Sequence, residues 1–196
     1  MERHTQQSIG VVMGERRAGQ ACVPTCFYMV AQAAGYLPAG LGLAAFCERL
    51  DWADAFSESH GWVRPKLASQ LRRQYGLAIA SWQLGGNVAD DETTISRMTA
   101  AGYLATEREI DFYHRHVVGR DVAELVAGGY PVIAGVKAGF GANKQSHAVV
   151  LLSWEGDRVE VIDPDDRNSR RYYPEAYVRE HLNPTGGGCT IVLPKY

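Results

Sequence analysis

This sequence contains few cysteines and has a small net charge. Its 196 residues include 4 cysteines, too few for a disulfide scaffold in a chain of this length. Lysine and arginine together number 20 against 22 acidic residues, and the net charge of −2 provides no basic surface for nucleic acid or for an anionic membrane. We therefore predict neither nucleic acid nor membrane as a partner.

Long hydrophobic runs are also missing. No apolar run approaches the roughly 18 residues that a membrane-spanning helix requires. The run at residues 9–13, which we interpret as a short strand, is shorter than the apolar core of a signal peptide. These absences predict a cytoplasmic protein. The sequence does not indicate an oligomeric state.

A zinc site would need more ligands than the sequence supplies. Cys22-x-x-x-Cys26 has a spacing that zinc ligands use, but the only other closely spaced pair is His114-x-His116. That pair lies in a charged stretch with no evident partner. We predict no metal and no cofactor.

Helical patterns dominate residues 20–128. Pro24 suits the first position of an apolar helix, and Gly35 is a stop signal for it. Further patterns indicate a strand at residues 77–82 and helices at 41–50, 66–75, 90–101 and 122–127.

From residue 130 the pattern changes to short β-branched runs. They predict strands at 131–136, 147–154, 158–162 and 189–193, with one helix at 174–182. The turn Glu155-Gly-Asp157 indicates a hairpin, so the strands beside it are antiparallel. We therefore predict an α+β fold in one domain, residues 1–196, with a helical lobe at about 20–128, a sheet lobe at about 130–196 and a cleft between them.

The first predicted helix begins beside two thiols, Cys22 and Cys26. Free N–H groups at a helix start carry roughly half a positive charge, which stabilises a thiolate and lowers the pKa of a cysteine. Either thiol could be a nucleophile on this ground. Both could equally be small core residues, since free cysteine is among the most buried residue types.

A cysteine nucleophile needs a base and a group that orients the base. His147 opens a strand after a glycine-rich approach, and Asp163 ends the next strand before Pro164. The predicted hairpin brings the start of one strand beside the end of the other, so Asp163 would lie next to His147. A core histidine and a turn aspartate are the alternative interpretation.

Two segments of the chain resemble a known family. Cys22-Val-Pro-Thr-Cys-Phe-Tyr-Met-Val30 is similar to the nucleophile segment of the bacteriocin-processing, double-glycine leader peptidases and their stand-alone relatives in the papain-like superfamily. The segment from Ser146 through His147 to Asp163-Pro164 resembles the histidine block of that family. The likeness runs from about residue 19 to 193 and implies a papain-like fold with Cys22 as nucleophile, His147 as base and Asp163 as orienting residue.

The sequence departs from the family pattern at the oxyanion position. The family places a glutamine six residues before its nucleophile, whereas Arg16 stands there relative to Cys22. Gln20 stands six residues before Cys26, which makes Cys26 the alternative nucleophile. We favour Cys22, with Gln20 as a possible oxyanion donor.

The resulting hypothesis is a cysteine peptidase that hydrolyses a peptide or protein substrate through a thioester. The resemblance implies cleavage after small or Gly-Gly residues. The same triad could instead transfer the acyl group to an amine or thiol. A papain-like domain that only binds peptides is the non-enzymatic alternative.

Overall fold

The computed structural model describes residues 1–9, 14, 19–58, 61–83, 91–165, 171–183 and 188–195. Most of the strand predicted at residues 9–13 lies outside these ranges, as does Arg16. Before it, residues Gln6–Ile9 form a 3-10 helix. None of the described helices is both long and apolar enough to cross a bilayer.

The first part of the chain is mainly helical, as predicted. Its elements are α1 (Cys22–Ala33), α2 (Leu43–Glu48), α3 (Trp52–Ala55), β1 (Phe56–Ser57), β2 (Gly61–Trp62), α4 (Arg64–Tyr75), β3 (Ile79–Trp82), α5 (Glu92–Ala100), α6 (Glu107–Phe112), a π-helical segment (Tyr113–Val117) and α7 (Val122–Ala127). Pro24 occupies the third position of α1 rather than the predicted first, where its missing N–H still costs nothing. The sequence patterns missed α3, α6, the π-helical segment and the β1–β2 hairpin, because all of them are short.

The second part supplies most of a six-stranded antiparallel sheet. Its elements are β4 (Val132–Val136), β5 (His147–Glu155), β6 (Arg158–Ile162), β7 (Tyr172–Pro174), α8 (Glu175–His181) and β8 (Cys189–Val192). The strand order is β3-β8-β4-β5-β6-β7, so β3 of the first part pairs with β8 at one edge. The α+β class is therefore confirmed.

Both faces of the sheet are buried by helices, and this packing fixes the strands that carry the site. Alternate residues of the central strands point to opposite faces. Ala148 and Val150 of β5 pack towards α1, whereas Val149 and Leu151 pack in the cluster formed with α6, α7 and α8. Burial on both faces explains why β4 and β5 are almost continuously apolar.

The predicted β5–β6 hairpin is confirmed, with Glu155 paired to Arg158 beside the turn. A register shift between Leu151 and Ser153 places Val150 opposite Ile162, the last residue of β6. The start of β5 therefore extends past the end of β6, to the level where the chain turns at Asp163.

A buried ion pair joins α4, β3 and α6. The Nε of Arg72 lies 3.0 Å from Oε1 of Glu109, which is completely buried. The same carboxylate accepts from the backbone N–H of Ile79, at 2.7 Å. Sequence periodicity did not reveal the pair because its partners are 37 residues apart.

Candidate active site

The helix α1 starts at Cys22 with its first turn open. Ala21 precedes it, and within the described residues no side chain caps the helix start. No described side chain therefore competes for the N–H groups of Cys22 and Val23, and their partial positive charge lies beside the Cys22 thiol. The Val23 N–H contributes a hydrogen bond to that sulfur.

His147 hydrogen-bonds to both Cys22 and Asp163. Its Nε2 lies 2.6 Å from Oδ1 of Asp163. A carboxylate can only accept, so Nε2 carries the proton in this bond. The other ring nitrogen, Nδ1, is then the one that faces Cys22, with which the His147 side chain shares a hydrogen bond.

Asp163 accepts hydrogen bonds from side chains and from the backbone. Besides His147, the backbone N–H of Asp165 donates to its Oδ1 at 2.8 Å, and Nδ2 of Asn143 donates to its Oδ2 at 3.2 Å. Asp163 is almost completely buried. Sequence analysis missed Asn143, which lies in the glycine-rich approach to β5, because an asparagine in such a stretch is usually a turn residue.

The protonation of the Cys22 and His147 side chains is coupled. Burial alone would raise the pKa of Cys22, but the hydrogen bond and charge of His147, together with backbone hydrogen bonds from Ala148 and Val23, outweigh it and lower that pKa below the ordinary 9.0. Burial would lower the pKa of His147, but its bonds to Asp163 and Cys22 raise it from 6.5 to about 10. The arrangement favours a thiolate and an imidazolium in contact at neutral pH.

The two thiols of α1 have different surroundings. Cys22 is half-buried, whereas Cys26, one turn further on, is completely buried. The thiol of Cys26 donates to the Ala148 carbonyl at 3.5 Å. Burial raises the pKa of Cys26 well above its ordinary value, so it remains a neutral thiol.

Cys22 and His147 open into a cleft of about 450 Å³. Gln20 also lines it, and the carbonyl of Gln20 accepts a hydrogen bond of 2.7 Å from the indole N–H of Trp62. Trp62 and Phe56, from the hairpin that sequence analysis missed, form an aromatic wall of the cleft, and Arg64 lines it beside them. Among the described residues, no group of three His, Cys, Asp or Glu side chains is placed to hold a metal ion.

Solved structures of peptidase domains are similar to this chain. The peptidase domain of Streptococcus ComA, a bifunctional ABC transporter involved in quorum sensing, is similar over 90% of this chain and 93% of that chain, with a TM-score of 0.50 and 13% identity. Two others are similar at lower scores. A double-glycine-motif protease from an AMS/PCAT transporter, solved with its leader peptide, has a TM-score of 0.44 at 14% identity over 88% of this chain and 84% of that one. A C39-like peptidase from Bacillus anthracis has a TM-score of 0.47 at 13% identity over 90% of each chain.

No family model and no curated protein matches this sequence. The chain nevertheless has a peptidase-like α+β fold, as the motif resemblance implied. At 13% identity this likeness concerns the fold alone.

Proposed function

We propose that this chain is a cysteine peptidase in which Cys22 is the nucleophile, His147 the base and Asp163 the residue that orients His147. The observation that carries the proposal is the continuous hydrogen-bonded series from Cys22 through His147 to Asp163, at the mouth of a cleft. The buried position of Cys26 supports Cys22 as the nucleophile.

The chemistry follows from that series. The Cys22 thiolate attacks the carbonyl carbon of the scissile peptide bond, and the C–N bond breaks as the His147 imidazolium gives its Nδ1 proton to the leaving amine. A thioester to Cys22 remains. His147, now neutral, takes a proton from a water molecule that attacks the thioester; the C–S bond then breaks, which releases the new carboxylic acid and restores the Cys22 thiolate beside the His147 imidazolium.

Charge that develops on the carbonyl oxygen needs donors. The open N-terminus of α1 offers the Cys22 N–H, and Gln20 lies on the same cleft. We assign the Gln20 side-chain amide as the second donor. Loss of one such donor costs about 10²–10³ in rate.

The resemblance of the nucleophile and histidine segments to double-glycine leader peptidases extends the proposal to the substrate. We propose a peptide or protein substrate cut after small residues or a Gly-Gly pair.

Thiol labelling and peptide cleavage test the function together. Iodoacetamide should label Cys22 rapidly and should label it slowly in a His147→Ala variant. Cys47 and Cys189 are internal controls, because burial raises the pKa of each to about 12. A proteome-derived peptide library should be cleaved by the unaltered chain and not by Cys22→Ser.

Two outcomes would contradict the proposal. Equal labelling of all four thiols would show that Cys22 is not activated. An intact library after prolonged incubation, with full peptide binding, would identify a binding domain instead. Product masses after addition of an amine would separate hydrolysis, which yields an acid, from acyl transfer, which yields an amide.

A further inference from the structure

Arg64, the first residue of α4, has a charged side chain on the same cleft as Cys22 and His147. Its Nη1 donates to the backbone carbonyls of Gly188 and Ile133, at 3.0 and 3.4 Å. Both acceptors are neutral, so these bonds hold the side chain in place without balancing its charge.

The guanidinium of Arg64 has no carboxylate partner anywhere in the described ranges of the chain. Arg72, two turns further along the same helix, pairs with Glu109, and the neighbouring Lys66 pairs with Asp54. Glu58 also lines the cleft but is exposed and forms no ion pair with Arg64 within the part of the structure that is described.

Burial acts on the Arg64 charge as well. It lowers the pKa of the guanidinium, and the side chains that oppose this effect are thiols, Cys189 first, and Tyr103 rather than a carboxylate. A partly buried cation without a carboxylate partner is unfavourable, and an anionic ligand would reduce that penalty. The Nε and Nη2 nitrogens of Arg64 donate to no acceptor within the described residues. Both nitrogens of the planar guanidinium are therefore available to such a ligand.

We propose that Arg64 forms a subsite for a carboxylate group of the peptide substrate. This deepens the proposed function and rests on it. The aromatic wall of Phe56 and Trp62 beside it lowers the local dielectric, which strengthens a bond between guanidinium and carboxylate. The carboxylate can come from an Asp or Glu side chain or from the C-terminus of a short peptide.

Paired peptides distinguish these two sources. A library of acetylated nonapeptides would carry Glu or Gln at one position at a time, each with a free or an amidated C-terminus. We expect the unaltered chain to cleave one member of a pair about ten- to a hundredfold faster, as a charge-assisted hydrogen bond implies. A Glu-over-Gln preference identifies a side chain, and a free-over-amidated preference identifies the C-terminal carboxylate.

Arg64→Gln should abolish that preference, with kcat/KM falling for the charged peptide alone. Lys66→Gln is the matched control, since it removes one positive charge from the same helix outside the cleft. A purely structural role for Arg64 would lower both members of a pair equally and would overturn the proposal. If Arg64→Gln does not fold, the paired peptides are still measured with the unaltered chain. Equal cleavage of the charged and uncharged members of every pair would overturn the subsite.

A second probe is independent of peptidase activity. Iodoacetate carries a carboxylate and iodoacetamide does not. The rate at which iodoacetate labels Cys22, divided by the rate for iodoacetamide, therefore reports the local positive charge. We expect this ratio to fall severalfold in Arg64→Gln and to stay unchanged in Lys66→Gln. If the peptide library stays uncleaved but the labelling ratio falls in Arg64→Gln, the peptidase proposal is refuted and the anion subsite is supported. If the labelling ratio is unchanged in Arg64→Gln, the subsite is overturned.

Discussion

At the scale of single residues, the difference between Cys22 and Cys26 is one of surroundings rather than of type. Four residues separate two identical side chains on one helix. One is half-buried beside an imidazole, and the other is completely enclosed beneath β5. The open helix start acts only on the first, because its field falls off within one turn.

Serine substitutions should separate the two thiols. Cys22→Ser should keep the fold and lower kcat/KM by several orders of magnitude, because a serine hydroxyl does not ionise beside His147. Cys26→Ser should leave activity measurable but lower the free energy of unfolding by about 1–3 kcal/mol, through a buried hydroxyl. Peptide cleavage and urea unfolding measure the two effects. The reverse pattern would make Cys26 the nucleophile.

The coupled pKa values of Cys22 and His147 predict a pH profile. The pKa of Cys22 lies below its ordinary 9.0, so iodoacetamide labelling of Cys22 should be faster at neutral pH than the labelling of an ordinary thiol. Peptide cleavage also needs the imidazolium proton, and it should fall as pH rises through about 10, where His147 loses it.

His147→Ala provides the comparison for that profile. Burial then acts on Cys22 without the opposing histidine, so the labelling rate should climb with pH through 9.0 and beyond. Rates measured from pH 5 to 10.5 test this. Identical profiles for the two proteins would show that His147 does not set the pKa of Cys22.

At the scale of elements, the β1–β2 hairpin supports the segment that precedes the nucleophile. Trp62 of β2 packs against Trp52 and Phe56 and donates its indole N–H to the Gln20 carbonyl at 2.7 Å. This bond joins the hairpin to the last turn before α1. The hairpin therefore positions Gln20 relative to Cys22.

Trp62→Phe should lower the rate of peptide cleavage severalfold, because the ring remains while the donor to Gln20 is lost. Trp52→Phe is its matched control, since Trp52 donates its indole N–H to the Cys47 carbonyl at 3.0 Å, away from the cleft. Both variants should lose about 1 kcal/mol of unfolding free energy. Equal rates of peptide cleavage in the two variants would show that the hairpin does not position Gln20.

At the scale of the whole molecule, stability should be greatest around β4 and β5. These strands lie in the interior of the sheet and are covered on both faces, whereas β7 is an edge strand with one neighbour. Asp163 directly follows β6, and His147 begins β5, so the base and its orienting residue lie on this rigid part.

Hydrogen exchange tests that gradient. Backbone amides of β4 and β5 should exchange only through global unfolding, and those of β7 through local opening at a lower free energy. The predicted order is measured by mass spectrometry of peptic fragments. Exchange of β5 as fast as that of β7 would show that the site does not lie on the most stable part of the fold.

The sequence by itself determined the α+β class, most long helices and strands, and the hairpin that brings Asp163 near His147. Periodicity and turn residues act over short distances, and these elements depend on them. The sequence pattern of the β5–β6 hairpin did not reveal the register shift in β5, because side-chain packing across the strands decides the register.

Only the tertiary structure decided which cysteine faces His147, which residue supports Asp163 and which charge lies on the cleft. The signal for a helix start did not separate Cys22 from Cys26, and it is the packing of α1 on β5 that encloses one of them. Trp62 and Arg64 reach the site from a segment distant in sequence from both Cys22 and His147, and Asn143 supports a carboxylate that lies 20 residues further along the chain. Their roles arise from contacts between elements, which local patterns do not encode.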